Sequence, residues 1–136
     1  MMGQPTSKAN ERQVSGTHYS AQFQHWDFCE ATNLGYCECQ ATRYIMRWYK
    51  KDGIQDLEKA IHYLDKLLEL EAAGRHNKRW DAEITELEIE TCTERMFSQT
   101  QLPEAERVIV TAIRDWTTRD ELEQIKIMIT ELRGSP

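Results

Sequence analysis

Residues 36–74, YCECQATRYIMRWYKKDGIQDLEKAIHYLDKLLELEAAG, decide the fold. Cys37, Ala41, Tyr44, Ile45 and Trp48 recur with the period of a helix, which predicts one from Tyr36 to Lys51 with an apolar stripe. The turn Lys50-Lys51-Asp52-Gly53 ends it, and Gly53 suits a left-handed backbone there. From Ile54 to Ala73 a second stripe follows, made of Leu57, Ala60, Ile61, Leu64, Leu67 and Leu68, and Gly74 stops it. Two amphipathic helices joined by a short turn make a helical hairpin.

Downstream, Asp81 to Gln99 is acidic, with Ile84, Leu87, Ile89 and Cys92 interspersed, and reads as one long helix. Leu102-Pro103 opens another, with Pro103 early, where its missing N–H costs nothing. That helix runs to Trp116, and Thr118 or Asp120 caps a last one ending at Gly134.

A shift of 68 residues lays Thr32, Leu34, Glu38, Ile45 and Trp48 onto Thr100, Leu102, Glu106, Ile113 and Trp116. The first core stripe falls on Ala105, Ile109, Ala112, Ile113 and Trp116. With the turn shortened by three residues, Leu57, Glu58, Leu64 and Leu67 fall on Leu122, Glu123, Ile129 and Leu132. The expected architecture is therefore all-α, two similar helical hairpins packed together. It divides into a polar leader (1–16) expected to be disordered, a first hairpin domain (17–78) and an acidic second one (79–136).

Three prolines and six glycines in 136 residues argue against an all-β or loop-rich chain. No run of 18 apolar residues is present, and the N-terminus lacks the apolar core of a signal peptide. A cytoplasmic protein without membrane contact is expected. Cys29, Cys37, Cys39 and Cys92 follow no disulfide framework, and Cys37-x-Cys39 is too tight for a zinc knuckle, so no metal is expected. The charge is uneven: +1 up to Trp80 and -7 from Asp81 onward. Binding of bulk nucleic acid is disfavoured, and an anionic ligand belongs to the first half.

The repeat serves as an internal control, because packing demands should recur in both copies. Beside the first core stripe runs a polar one, Gln40, Arg43, Arg47 and Lys51, whose counterparts are Val108, Thr111, Asp115 and the shortened turn. Asp56, Lys59, Tyr63 and Lys66 form a stripe on the partner helix, against Glu121, Gln124, Met128 and Glu131. Only the first copy is cationic. Arginine forks beside tyrosine faces suit a phosphate joined to a base. Asp56 orients an arginine or accepts from a ligand hydroxyl. Upstream, His18 beside Tyr19 is placed to bind phosphate or move a proton, and His25-Trp26-Asp27-Phe28 reads as a run outside the main helices.

His18-Tyr19, Trp26-Asp27-Phe28, Leu34, Arg43-Tyr44-Ile45-Met46-Arg47-Trp48, Lys50-Lys51, Gly53, Asp56-Leu57-Glu58-Lys59-Ala60, His62-Tyr63-Leu64 and Leu67 together resemble a phage-encoded family. These small proteins are described as nucleotide kinases or have no assigned function. Their characterised member phosphorylates deoxynucleoside monophosphates without a P-loop. The likeness spans about residues 17–70. It implies a nucleotide ligand, ATP and Mg2+ as cofactors of a kinase, and the cytoplasm of an infected bacterium as location. In that reading His18, Gln40 and Arg43 are catalytic, while Tyr19, Tyr44, Arg47, Lys51, Asp56, Lys59 and Tyr63 hold the nucleotide and its phosphates. The family pattern carries Gly-Asn and then Lys-Tyr where this chain has Cys39-Gln40 and Arg43-Tyr44.

Those substitutions support an alternative, a non-enzymatic counter-defence protein that sequesters a nucleotide signal or inhibits a host protein. A third reading has the acidic stretch from Asp81 to Glu94 mimic nucleic acid. Trp48, Tyr49, Ile54 and Trp80 near the edges of the hairpin point to a homo-oligomer.

Overall fold

A computed structural model describes residues 23–50, 53–76 and 84–134. The expected leader, together with His18, Tyr19, Lys51 and Trp80, lies outside them. Among the described residues there are six helices and no strand: α1 (His25–Thr32), α2 (Tyr36–Arg47), α3 (Ile54–Ala72), α4 (Glu86–Thr100), α5 (Glu104–Asp115) and α6 (Arg119–Arg133). The protein is all-α. No helix among the described residues is long and apolar enough to cross a membrane.

The chain forms two compact units, and each draws on both halves of the sequence. In the first, α1 packs on α4. Phe28, Cys29, Ile89, Met96 and Phe97 are its buried apolar side chains. His25 to Phe28, read from the sequence as lying outside the helices, begins α1. Its start is secured by a reciprocal capping box between Gln24 and Asp27. Within the described residues the acidic helix begins at Glu86, where the Thr85 hydroxyl accepts from the Glu88 N–H; Asp81 to Glu83, expected to open it, lie outside the described residues. Asn33 and Gln101, 68 residues apart, both close their helices in the left-handed region, at φ 57° and 53°.

The second unit is a four-helix arrangement in which α2 packs on α3 and α5, and α6 packs on α3 and α5. Its core is largely the predicted pair of stripes, to which the structure adds Val110 and Ile125. Ala41, Ile45, Leu57, Ala60, Leu64 and Leu67 come from the first hairpin, and Ile109, Val110, Ile113, Leu122, Ile125 and Ile129 from the second, all nearly or wholly inaccessible. Each large aliphatic side chain buried this way contributes about 1.5–3 kcal/mol. Cys37, Tyr44, Trp48, Ile61 and Ala112 are only half-buried and Ala105 is exposed, so those six lie at the margins of the stripes.

Turn chemistry sets the difference between the hairpins. α3 ends at Gly74 (φ 67°), with the Gly74 N–H donating to the Glu71 carbonyl and Arg75 N–H to that of Leu70, a Schellman close. Gly53 has the expected positive φ of 60°, but its ψ of -134° lies outside the left-handed helical region, and it serves as the N-cap of α3. Trp48 is still helical (ψ -38°), whereas its counterpart Trp116 is extended (ψ 145°) and leads straight into the Thr118 cap of α6.

The repeat is knitted by a reciprocal contact. The Trp48 indole N–H donates to Glu106 Oε2, and the Trp116 indole N–H donates to Glu38 Oε2, each at 2.9 Å. Glu38 and Glu106 are both buried. Trp48, expected to sit at an exposed edge, is half-buried by this bond, while Tyr49 and Ile54 do face solvent.

Candidate functional site

Gln40, Arg43, Tyr44 and Arg47 are spaced by three and four residues, so α2 presents them on one face. Asp56, Lys59 and Tyr63 do the same on α3. The hairpin brings these two rows together around Tyr44. The Arg47 guanidinium lies 5.1 Å from the centre of the Tyr44 ring, and the Arg43 guanidinium and Lys59 ammonium each lie 5.3 Å away. Three cations share one aromatic ring, an arrangement held by the negative face of its π system. Tyr63 stacks on Tyr44 at 6.2 Å and 15°, and Tyr36 meets Tyr63 edge-on at 6.1 Å.

Asp56 is the anchor of this cluster. Its side chain is fully inaccessible, and it accepts from Arg47 Nε at 3.0 Å and Nη2 at 3.5 Å, with Lys59 Nζ at 3.9 Å. A carboxylate so desolvated requires cationic partners, which fixes the Arg47 fork in place. Of the two roles read for Asp56, orienting an arginine is the one it fills. Gln40 accepts from Arg43 Nη1 at 3.3 Å and so steadies the more exposed arginine.

Over α3 opens a recess of about 550 Å³ lined by Tyr44, Gln55, Glu58, Lys59, His62 and Tyr63. Its size is that of a small-molecule site. The Tyr63 phenol is held above its ordinary range, chiefly by its hydrogen bond with Tyr36. Burial, reinforced by Glu38, raises the Cys37 thiol, which therefore stays protonated beside the site.

Six of the residues singled out from sequence thus converge: Arg43, Tyr44, Arg47, Asp56, Lys59 and Tyr63. Gln40 supports them from the edge. His18, Tyr19 and Lys51 lie outside the described residues. Gln55, Glu58 and His62 were not singled out as site residues, though the same spacing on α3 places them beside Lys59.

Two buried carboxylates of the first hairpin, Asp56 and Glu38, are the acids a magnesium ion would call on, and both are engaged. Asp56 is neutralised by Arg47 and Lys59. Glu38 accepts from Trp116 and lies 3.2 Å from His76 Nε2, with its other oxygen buried and unpartnered. No group of three His, Cys, Asp or Glu side chains that could hold a metal occurs among the described residues. These residues do not by themselves fit a magnesium ion.

No family model, no curated protein and no solved structure matches the chain.

Proposed function

We propose that the protein binds a nucleotide or nucleotide-like small molecule on the basic, aromatic face of α2 and α3. The observation that carries this reading is the convergence of Arg43, Arg47 and Lys59 on one tyrosine ring beside an open recess. Phosphate oxygens take the arginine forks and the ammonium, and a base or sugar lies over the recess against Tyr63. In its finer form the reading is the phage family's activity, phosphorylation of a deoxynucleoside monophosphate with ATP and magnesium. Positioning and charge neutralisation by Arg43 and Arg47 then supply most of the catalysis.

A second reading has a specific observation in its favour. Asp56 and Glu38 are both taken up by internal partners, which supports a site that binds without turnover, such as a phage counter-defence protein sequestering a nucleotide signal inside its bacterial host.

The test is calorimetric titration with nucleoside mono- and triphosphates, run beside a turnover assay containing ATP, magnesium and each deoxynucleoside monophosphate. Turnover supports the kinase, and binding without turnover supports sequestration. Arg43→Ala with Lys59→Ala should weaken binding at least tenfold, because each lost charge-assisted contact costs about 1.5 kcal/mol or more. If the wild-type protein binds none of these nucleotides, the nucleotide reading fails.

A further inference from the structure

The repeat presents the face of the candidate site a second time, on α5 and α6, with opposite chemistry. Where the first copy has Gln40, Tyr44, His62 and Tyr63, the second has Val108, Ala112, Ile127 and Met128. Val108 is 49% exposed and Ile127 50%, and Ala112 and Met128 are half-buried. The fold does not require apolar groups there, since Gln40 and His62 fill the same positions in the first copy. At the positions of Tyr36, Gln55, Glu58 and Lys66 stand four exposed acids, Glu104, Asp120, Glu123 and Glu131. Lys126 beside them lies 2.6 Å from Asp65 and 3.9 Å from Glu123.

One side of the four-helix unit is therefore basic and aromatic, and the other is apolar with an acidic rim.

We infer that the protein self-associates head to tail, the acid-rimmed apolar face of one copy seating on the basic, aromatic face of the next. Tyr36, 69% exposed, is the aromatic group available to cover Val108 and Ile127. Arg43, Lys59 and Lys66 meet the acidic rim. Charge complementarity selects this occupant over a symmetric contact of the α5/α6 face with itself, which sets acid against acid. A contact between unlike faces continues from copy to copy until it closes as a ring or ends as a short chain. It also covers the candidate nucleotide site, so ligand and neighbour compete for the same cations. The contact needs those cations but not their binding a nucleotide, so either reading can fail alone.

The test is light scattering behind size exclusion at low salt without nucleotide, over a wide concentration range. Two full-length variants are compared, Arg43→Glu with Lys59→Glu, and Val108→Lys with Ile127→Lys. These side chains are exposed or half-exposed, and circular dichroism checks each fold. Should either variant misfold, Arg43→Gln with Lys59→Gln, or Val108→Ser with Ile127→Ser, replaces it. The wild type should exceed the monomer mass, and each variant alone should be monomeric. An equal mixture of the two should give a one-to-one dimer, since each retains the face that the other lost. A wild type that stays monomeric overturns the proposal, as does a mixture that forms no dimer. Undiminished association of the Arg43/Lys59 variant indicates a symmetric contact and also overturns it. So does saturable binding of a synthetic lysine-leucine helix by a wild type that does not self-associate, which makes a foreign helix the occupant.

Discussion

Replacing Trp116 by Phe tests whether the reciprocal indole–carboxylate bonds hold the repeat together. The indole N–H is the donor to Glu38 Oε2 at 2.9 Å, in a site where Trp116 is 3% and Glu38 1% exposed. Losing a hydrogen bond to a buried charge costs about 1.5–3 kcal/mol. The smaller ring leaves a void whose cost is about 1 kcal/mol. His76 Nε2, at 3.2 Å, stays beside the same oxygen and limits the damage. The expected loss is about 3 kcal/mol, a drop in melting temperature of roughly 10 °C for a chain of this length. The assay is urea unfolding followed by far-UV circular dichroism, run as a cycle with Glu38→Gln. In the Gln background the same Trp116→Phe change should cost about 1 kcal/mol less, because a bond to a neutral acceptor is about half as strong. Equal costs in both backgrounds would show that the bond carries no coupling and would refute the reasoning. The equivalent cycle of Trp48→Phe with Glu106→Gln should show coupling of the same sign and smaller size, since Trp48 is only half-buried.

Three further outcomes are expected. Arg47→Ala should lower unfolding free energy by about 3 kcal/mol because it strands the buried Asp56 carboxylate, whereas Asp56→Asn, which leaves a partly exposed arginine, should cost only about 1–2 kcal/mol; urea titration of both variants checks the order. Gly35→Ala should cost about 1–2 kcal/mol, since its Cβ would sit 2.7 Å from the unpartnered Glu38 Oε1, on a buried carboxylate whose other oxygen is held by Trp116 and His76, and thermal unfolding measures it. The Glu121 carboxyl is held below its usual range, chiefly by the Thr117 N–H and hydroxyl and then by the Thr118 N–H. Because the folded value is the lower one, its stabilisation is complete above the unfolded value of about 4.3 and disappears as pH falls through the folded value. Thr117→Ala, which removes the hydroxyl donor, should therefore narrow the gap in melting temperature between pH 7 and pH 3, and an unchanged gap would count against the contact.

The scaffold was legible because core positions answer to one demand, burial at helical spacing, and that demand recurs. Ile45 and Ile113, or Leu64 and Ile129, declare themselves by period alone. Helix ends were less legible. Thr85 starts α4 through its own hydroxyl, and the acidic run before it has the same polar composition as the helix that follows. The Glu38 and Glu106 contacts were hidden for a different reason. A buried carboxylate looks like any surface acid until its donor is known, and the donors are 78 and 58 residues away.

The signal was nonetheless present, since Glu and Trp recur together under the 68-residue shift. A polar pair that repeats with the core is under the same constraint as the core. The converse identifies the candidate site. Arg43, Arg47 and Lys59 do not repeat, although the backbone positions that carry them do. Arg47, and Lys59 less closely, answer to the buried Asp56 carboxylate, whereas the core makes no demand on the exposed Arg43, so its divergence between the copies is what the proposed ligand or partner would account for.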